Sequence, residues 1–87
     1  MPDEAIVREK ARSSILAGRI PGHRPGRTWG DLGVGAPCAV FEQPVRSDEL
    51  EFEIEFAHGD NLGLDKFHVH LRCFAAWEFE RRKVAGA

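Results

Sequence analysis

Three side chains in this 87-residue sequence carry donor chemistry at informative positions: Cys38, His70 and Cys73. Residues i and i+3 of a helix project from one face a turn apart, so His70 and Cys73 can reach one tetrahedral ion. Cys38 stands in a Gly/Pro-flanked turn, PCAVFEQP. The same residues permit other chemistry. A Cys38–Cys73 disulfide would close a long loop and suit an oxidising compartment. A thiolate at Cys73, near a helix N-terminus with His70 a turn back, would be a nucleophile. No general base, orienting partner or set of oxyanion donors can be named beside it, so the sequence is read as a non-enzyme.

The elements that must position these residues follow from pattern. Residues 4–17 read as a helix. Asp3 caps its first N–H groups, Val7, Ala11 and Ile15 recur one turn apart, and Gly18 suits a left-handed stop. Residues 19–37 are interrupted throughout by Pro and Gly and read as an extended linker, pinned to the core by Trp29. Within it, GDLGVGAPC lacks the spacing, the Lys and the helix of a phosphate-cradling loop. Residues 49–57, ELEFEIEFA, alternate Leu50, Phe52, Ile54 and Phe56 with Glu49, Glu51, Glu53 and Glu55. Period two predicts a half-buried antiparallel strand with a solvated Glu face. Carboxylates at such regular intervals are read as standing too far apart to cage one divalent ion. HGDNLG over 58–63 reads as a turn, and Asp60, Asn61 and Asp65 lack calcium-loop spacing. The strand over 64–69 turns Phe67 and Val69 one way and Lys66 and His68 the other, where cations would suit the Glu row. Cys73, Phe74 and Trp77 then share a helical face, predicting a helix over about 71–84 with Arg81, Arg82 and Lys83 at its negative end.

The expected fold class is α+β: an N-terminal helix, a long Gly/Pro linker, and an antiparallel β-hairpin packed on a C-terminal helix. Residues 1–28 are expected to form a helix and basic arm, and residues 29–87 the core. The expected core is Phe41, Leu50, Phe52, Ile54, Phe56, Phe67, Val69, Cys73, Phe74 and Trp77.

Composition bounds these readings. With 43% hydrophobic and 30% charged residues the chain makes one small domain with a limited core. Two cysteines exclude a disulfide-dense scaffold. The apolar runs are too short to span a bilayer, and Met1–Lys10 does not resemble a secretory signal, so a cytoplasmic protein with no membrane partner is expected. The net charge of −2 hides segregation. Arg8, Lys10, Arg12, Arg19, Arg24 and Arg27 face only Glu9 before Trp29, whereas Glu42 to Asp65 holds eight acids against Arg46. Pairing between the two blocks is the simplest expectation.

The order of Cys38 in a turn, a hairpin, then His70 and Cys73 at a helix start resembles the treble-clef zinc finger. Residues 37–83 carry the resemblance. The chain is also similar to a group of small uncharacterised bacterial proteins with a basic helix, a Trp-Gly-rich linker and the pattern C-A-V-C…H-x-H-x-x-C-x-x-x-W. The resemblance implies a zinc ligand set of Cys38, His70 and Cys73, with a fourth ligand at position 41. Here Phe41 stands in that place. The first expectation is therefore that zinc is lost and Phe41 fills the place by apolar packing, leaving no cofactor. The alternative is zinc held by three residues plus His68 or water, His58 being too distant.

From these residues the expected function is a small non-enzymatic binding or regulatory module on a degenerate zinc-finger scaffold. Its partner would be a protein or a second copy of the chain. Nucleic-acid binding through the arm and Arg72, Arg81, Arg82 and Lys83 is the runner-up, and Trp29 is a further candidate anchor. A thiol or metal enzyme is the third class.

Overall fold

The computed structural model describes residues 3–57 and 64–86. Helix α1 spans Glu4–Leu16, and Asp3 caps it by accepting the Ile6 N–H at 3.1 Å. It ends as expected, with Gly18 at φ +76° and backbone bonds from Gly18 and Arg19 to Ile15 and Ser14. The connection after it is not loose. Ile20 is fully buried, and the Trp77 indole N–H donates to the Pro21 carbonyl at 2.9 Å.

The larger correction lies in the next residues. Arg27–Leu32 form strand β1, which pairs antiparallel with β2, Leu50–Ala57; β2 in turn pairs with β3, Leu64–His70. The sheet is three-stranded in the order β1-β2-β3, so the hairpin is the central and outer part of a larger sheet. The expected linker contains a strand, and the expected boundary at 28/29 falls inside it. The turn over 58–63, with His58, Asp60 and Asn61, lies outside the described residues. Helix α2, Leu71–Gly86, starts directly after β3.

One sheet face builds the core. Ile54, Phe56 and Val69 are buried, Phe52 stacks on Phe74 at 4.2 Å between ring centroids, and Phe56 meets the edges of Phe67 and Trp77. Helix α1 packs on α2 and adds Val7 and Ala11 to the same cluster as Trp77. Leu50, expected in the core, is 56% exposed because it pairs with Leu32 at the end of the sheet. Phe41 packs against the cluster but is only half-buried.

The other face carries the Glu row, and it is not the solvated face expected. Glu51 and Glu55 are 3% and 6% exposed. In an antiparallel sheet directly opposed residues share a face. Glu53 therefore lies between Trp29 and His68, and Glu55 between Arg27 and Lys66. Trp29 sits half-buried on this polar face with the Arg27 guanidinium 5.2 Å from its ring, rather than pinning a linker to the core. The arm's Arg8 pairs with Glu80 of α2 at 3.3 Å, not with the acidic block.

Because Val7 is buried at the α1–α2 contact, Val7→Ala is expected to cost about 1–3 kcal/mol in urea unfolding, whereas the exposed Arg12→Ala stays within about 0.5 kcal/mol. Equal, negligible effects would mean that the helix does not share the core.

Candidate metal centre

Three elements deliver the Cys/His cluster. The first is a tight knuckle after β1. Pro37 and Pro44 form an isolated antiparallel bridge, the Cys38 N–H donates to the Gln43 carbonyl at 2.8 Å, and the Glu42 N–H donates to the Cys38 carbonyl at 2.7 Å. The reversal puts Glu42 at φ +65°, a left-handed conformation that costs a non-glycine residue about 1–2 kcal/mol. Val40 and Val45 bury completely and hold the knuckle down, and the Ala39 N–H bonds to the His68 carbonyl at 2.9 Å, stitching it to β3. The second element is the end of β3, which supplies His70. The third is the first turn of α2, which supplies Cys73 one turn on.

The donor atoms of Cys38, His70 and Cys73 all lie within 4.8 Å of one another, and all three residues are buried. His70 Nδ1 stands 3.9 Å from Cys73 Sγ. A tetrahedral zinc with ordinary Zn–N and Zn–S bonds would hold such atoms about 3.6 Å apart, so the set fits an ion with little movement. Three further features suit a ligand role. The Phe41 N–H donates to Cys38 Sγ at 3.4 Å, which favours a thiolate. The opposite ring nitrogen, His70 Nε2, faces the Glu49 carboxylate at 3.8 Å. Carboxylates in that position orient ligating imidazoles. Finally, both cysteines are free.

The electrostatics of the pair are unequal. The Cys73 thiol donates toward Cys38 and holds it low, to about 5; burial opposes this, and backbone N–H groups of Phe41, His70 and Val40 assist. Cys73 is pushed up by its bond to Cys38 and by burial. One proton is thus shared by two sulfurs, with the negative charge on Cys38.

His68 does not join this set. Its Nδ1 lies 2.9 Å from Glu51 Oε2 on the polar sheet face. Nor does Phe41 bring a donor, so three protein ligands converge among the described residues. The basic candidates are dispersed. Arg81 and Arg82 both bond to the Glu78 carboxylate, Arg81 lies 5.3 Å over Trp77, and Lys83 lies 5.4 Å over Phe79. Arg72 is exposed and, with Glu49, Leu50, His70 and Leu71, lines a groove of about 310 Å³ that opens beside the cluster. No helix among the described residues is long and apolar enough to cross a membrane. No protein-family model, curated protein or solved structure matches the sequence.

In the metal-free protein, thiolate absorbance in the ultraviolet should persist at neutral pH and disappear as pH falls through about 5. Cys73→Ala removes the largest stabilising contact, so the transition should move upward toward the ordinary thiol range. An unmoved transition would show that the cysteines do not share a proton.

Proposed function

We propose that the chain is a small, non-enzymatic interaction module whose knuckle, sheet and C-terminal helix are tied together by one zinc ion on Cys38, His70 and Cys73. The convergence of these three buried donors within 4.8 Å carries the reading. Thiolate and imidazole ligands favour zinc, and a structural ion would supply stability that a core of this size is short of. Phe41 leaves the fourth corner to water. The treble-clef resemblance belongs to this proposal as its evolutionary frame.

The interaction itself is assigned to β1 and to a second copy of the chain. Strand β1 is one of the two outer strands of the sheet. Gly33 donates to Glu49 toward β2, so by antiparallel alternation the backbone groups of Thr28 and Gly30 point outward. Two such edges can pair about a two-fold axis. Centred on Trp29, that pairing brings Arg27 opposite Asp31 of the second copy and Trp29 opposite its counterpart. The segment RTWGD is thus self-complementary in charge. Leu32 and Leu50, 56% exposed each, extend the surface.

Native mass spectrometry should find one zinc per chain, removed by a strong chelator, with Cys38→Ser abolishing it. Phe41→Cys should complete the tetrahedron and tighten zinc binding at least tenfold. Absence of zinc from the wild-type chain rejects the metal assignment, whatever Phe41→Cys binds. Sedimentation should show reversible dimers. Asp31→Arg should weaken them about tenfold by opposing Arg27, and adding Arg27→Asp should restore them. A strictly monomeric wild type rejects the β1 pairing.

A further inference from the structure

The polar sheet face holds a second donor cluster that the zinc reading does not use. Glu51, Glu53 and His68 place one ligand atom each within 4.8 Å of one another. The strands explain why. Glu53 and His68 are direct cross-strand partners, and Glu51 is diagonal to His68 from its own pairing with His70. Diagonal neighbours in a sheet are within reach of long side chains. Glu51 and Glu53 bring carboxylate oxygens within that distance of each other, so the expectation that strand carboxylates stand too far apart does not hold for this pair, and the neighbouring imidazole closes the triangle.

The second observation concerns Glu51. It is only 3% exposed, yet its Oε1 is buried without a hydrogen-bond partner among the described residues, while Oε2 is 2.9 Å from His68 Nδ1. A buried carboxylate with a free oxygen carries a substantial desolvation cost. Water would satisfy the missing bond and leave the charge. The charge is not balanced locally: Asp31, Glu51, Glu53 and Glu55 share the face with Arg27 and Lys66. Lys66 Nζ stands 3.9 Å from both Glu53 Oε1 and Glu55 Oε2, so one ammonium is shared between a carboxylate of the cluster and its neighbour, and it makes no ion pair with Glu51 among the described residues. It is 53% exposed and free to lean onto Glu55.

We propose that Glu51, Glu53 and His68 bind a divalent cation of the manganese or iron(II) type, with water completing its coordination. The 2.9 Å separation of His68 Nδ1 and Glu51 Oε2 suits two donors at right angles on a six-coordinate ion, where bonds near 2.1 Å put them about 3.0 Å apart. Two carboxylates and one imidazole are hard to borderline donors, unlike the thiolates of the Cys/His cluster. The ion takes up the excess negative charge and, with Glu51 bidentate, gives Oε1 a partner as well as Oε2. A half-exposed Lys66 and the partly exposed Glu53 and His68 leave a route for entry.

The test uses the full chain preloaded with zinc, so that the cysteine site is occupied or shown not to fill, and Mn²⁺ as the probe. Electron paramagnetic resonance should show one Mn²⁺ per chain removed from the free six-line signal, with a dissociation constant below about 1 mM. Glu51→Gln, which keeps shape and a hydrogen bond to His68, should weaken binding at least tenfold. Lys66→Gln removes the competing ammonium and should tighten it several-fold. Wild-type protein with and without preloaded zinc should bind Mn²⁺ alike, which separates this site from the zinc assignment. In wild type, NMR broadening by Mn²⁺ should reach the Trp29 indole, opposite Glu53, before that of Trp77, and this arm needs no variant to fold. No saturable binding below about 1 mM, binding indifferent to Glu51→Gln, or broadening centred on other acidic residues would overturn the proposal.

Discussion

The structure turns on β2 being a central strand. An alternating strand at the edge of a sheet can leave one face to water. A central one, flanked by β1 and β3, has both rows crowded by neighbours. The apolar row of β2 meets α2 and closes the core. The Glu row meets whatever β1 and β3 carry on the same face, and those positions hold Arg27, Trp29 and Asp31 on one side and Lys66, His68 and His70 on the other. Two of its carboxylates are nearly inaccessible as a result. Burying them raises the cost of leaving any oxygen or charge unmatched, so the sheet's second face becomes a site of strong, specific electrostatics. The core face and the polar face are two outcomes of one pairing pattern.

Local signals were enough for four of the five elements. Asp3 and Gly18 mark the ends of α1, alternation marks β2 and β3, and the spacing of Cys73, Phe74 and Trp77 marks the face of α2. These are short-range patterns written by 3.6-residue and two-residue periods. Strand β1 has no such pattern. RTWGDL mixes charge, aromatic and glycine because one of its faces is the polar face and its outer edge is free, so neither period appears. Its strand character comes from pairing with β2, whose partner residues stand from 18 (Leu32↔Leu50) to 28 (Arg27↔Glu55) positions away along the chain. Glu51 and Glu55 were misread for the same reason: burial of a strand face depends on its neighbours, not on its own residues. Trp29 shows it most plainly. A large aromatic in a Gly/Pro stretch looks like an anchor, but the anchors of that stretch are Ile20 and the Trp77–Pro21 hydrogen bond, both invisible without the helix packing.

The candidate site was legible where chain geometry is local and opaque where it is not. His70 and Cys73 are expected together as i and i+3 of one helix turn; His70 is in fact the last residue of β3, and the two meet because α2 begins at the next residue. Cys38 meets them because the knuckle is bonded along β3 through Ala39 and held by Val40 and Val45, a placement that no spacing rule supplies. The knuckle keeps its shape without a donor at position 41: the backbone N–H of Phe41 still points at Cys38 Sγ, and Glu42 still adopts the left-handed turn. The backbone that presents Cys38 is therefore fixed by hydrogen bonds and apolar packing and needs no donor side chain at position 41.

His68 and His70 show how strongly register assigns chemistry. They lie two positions apart on the same face of β3, and sequence alone offers both for one ion, His70 in the ligand set and His68 as a substitute for the missing fourth ligand. Pairing separates them. His70 stands at the last rung, where the strand gives way to α2, so its ring meets Cys73 on one side and Glu49 on the other. His68 stands one rung inside, opposite Glu53 and diagonal to Glu51, so its ring meets carboxylates only. A one-residue slip of β3 would turn both rings to the core face and bury the apolar row among the Glu side chains. The hydrophobic contacts of Ile54, Phe56 and Val69 with α2 exclude that slip. The packing that stabilises one face of the sheet thereby decides which donors each imidazole faces on the other.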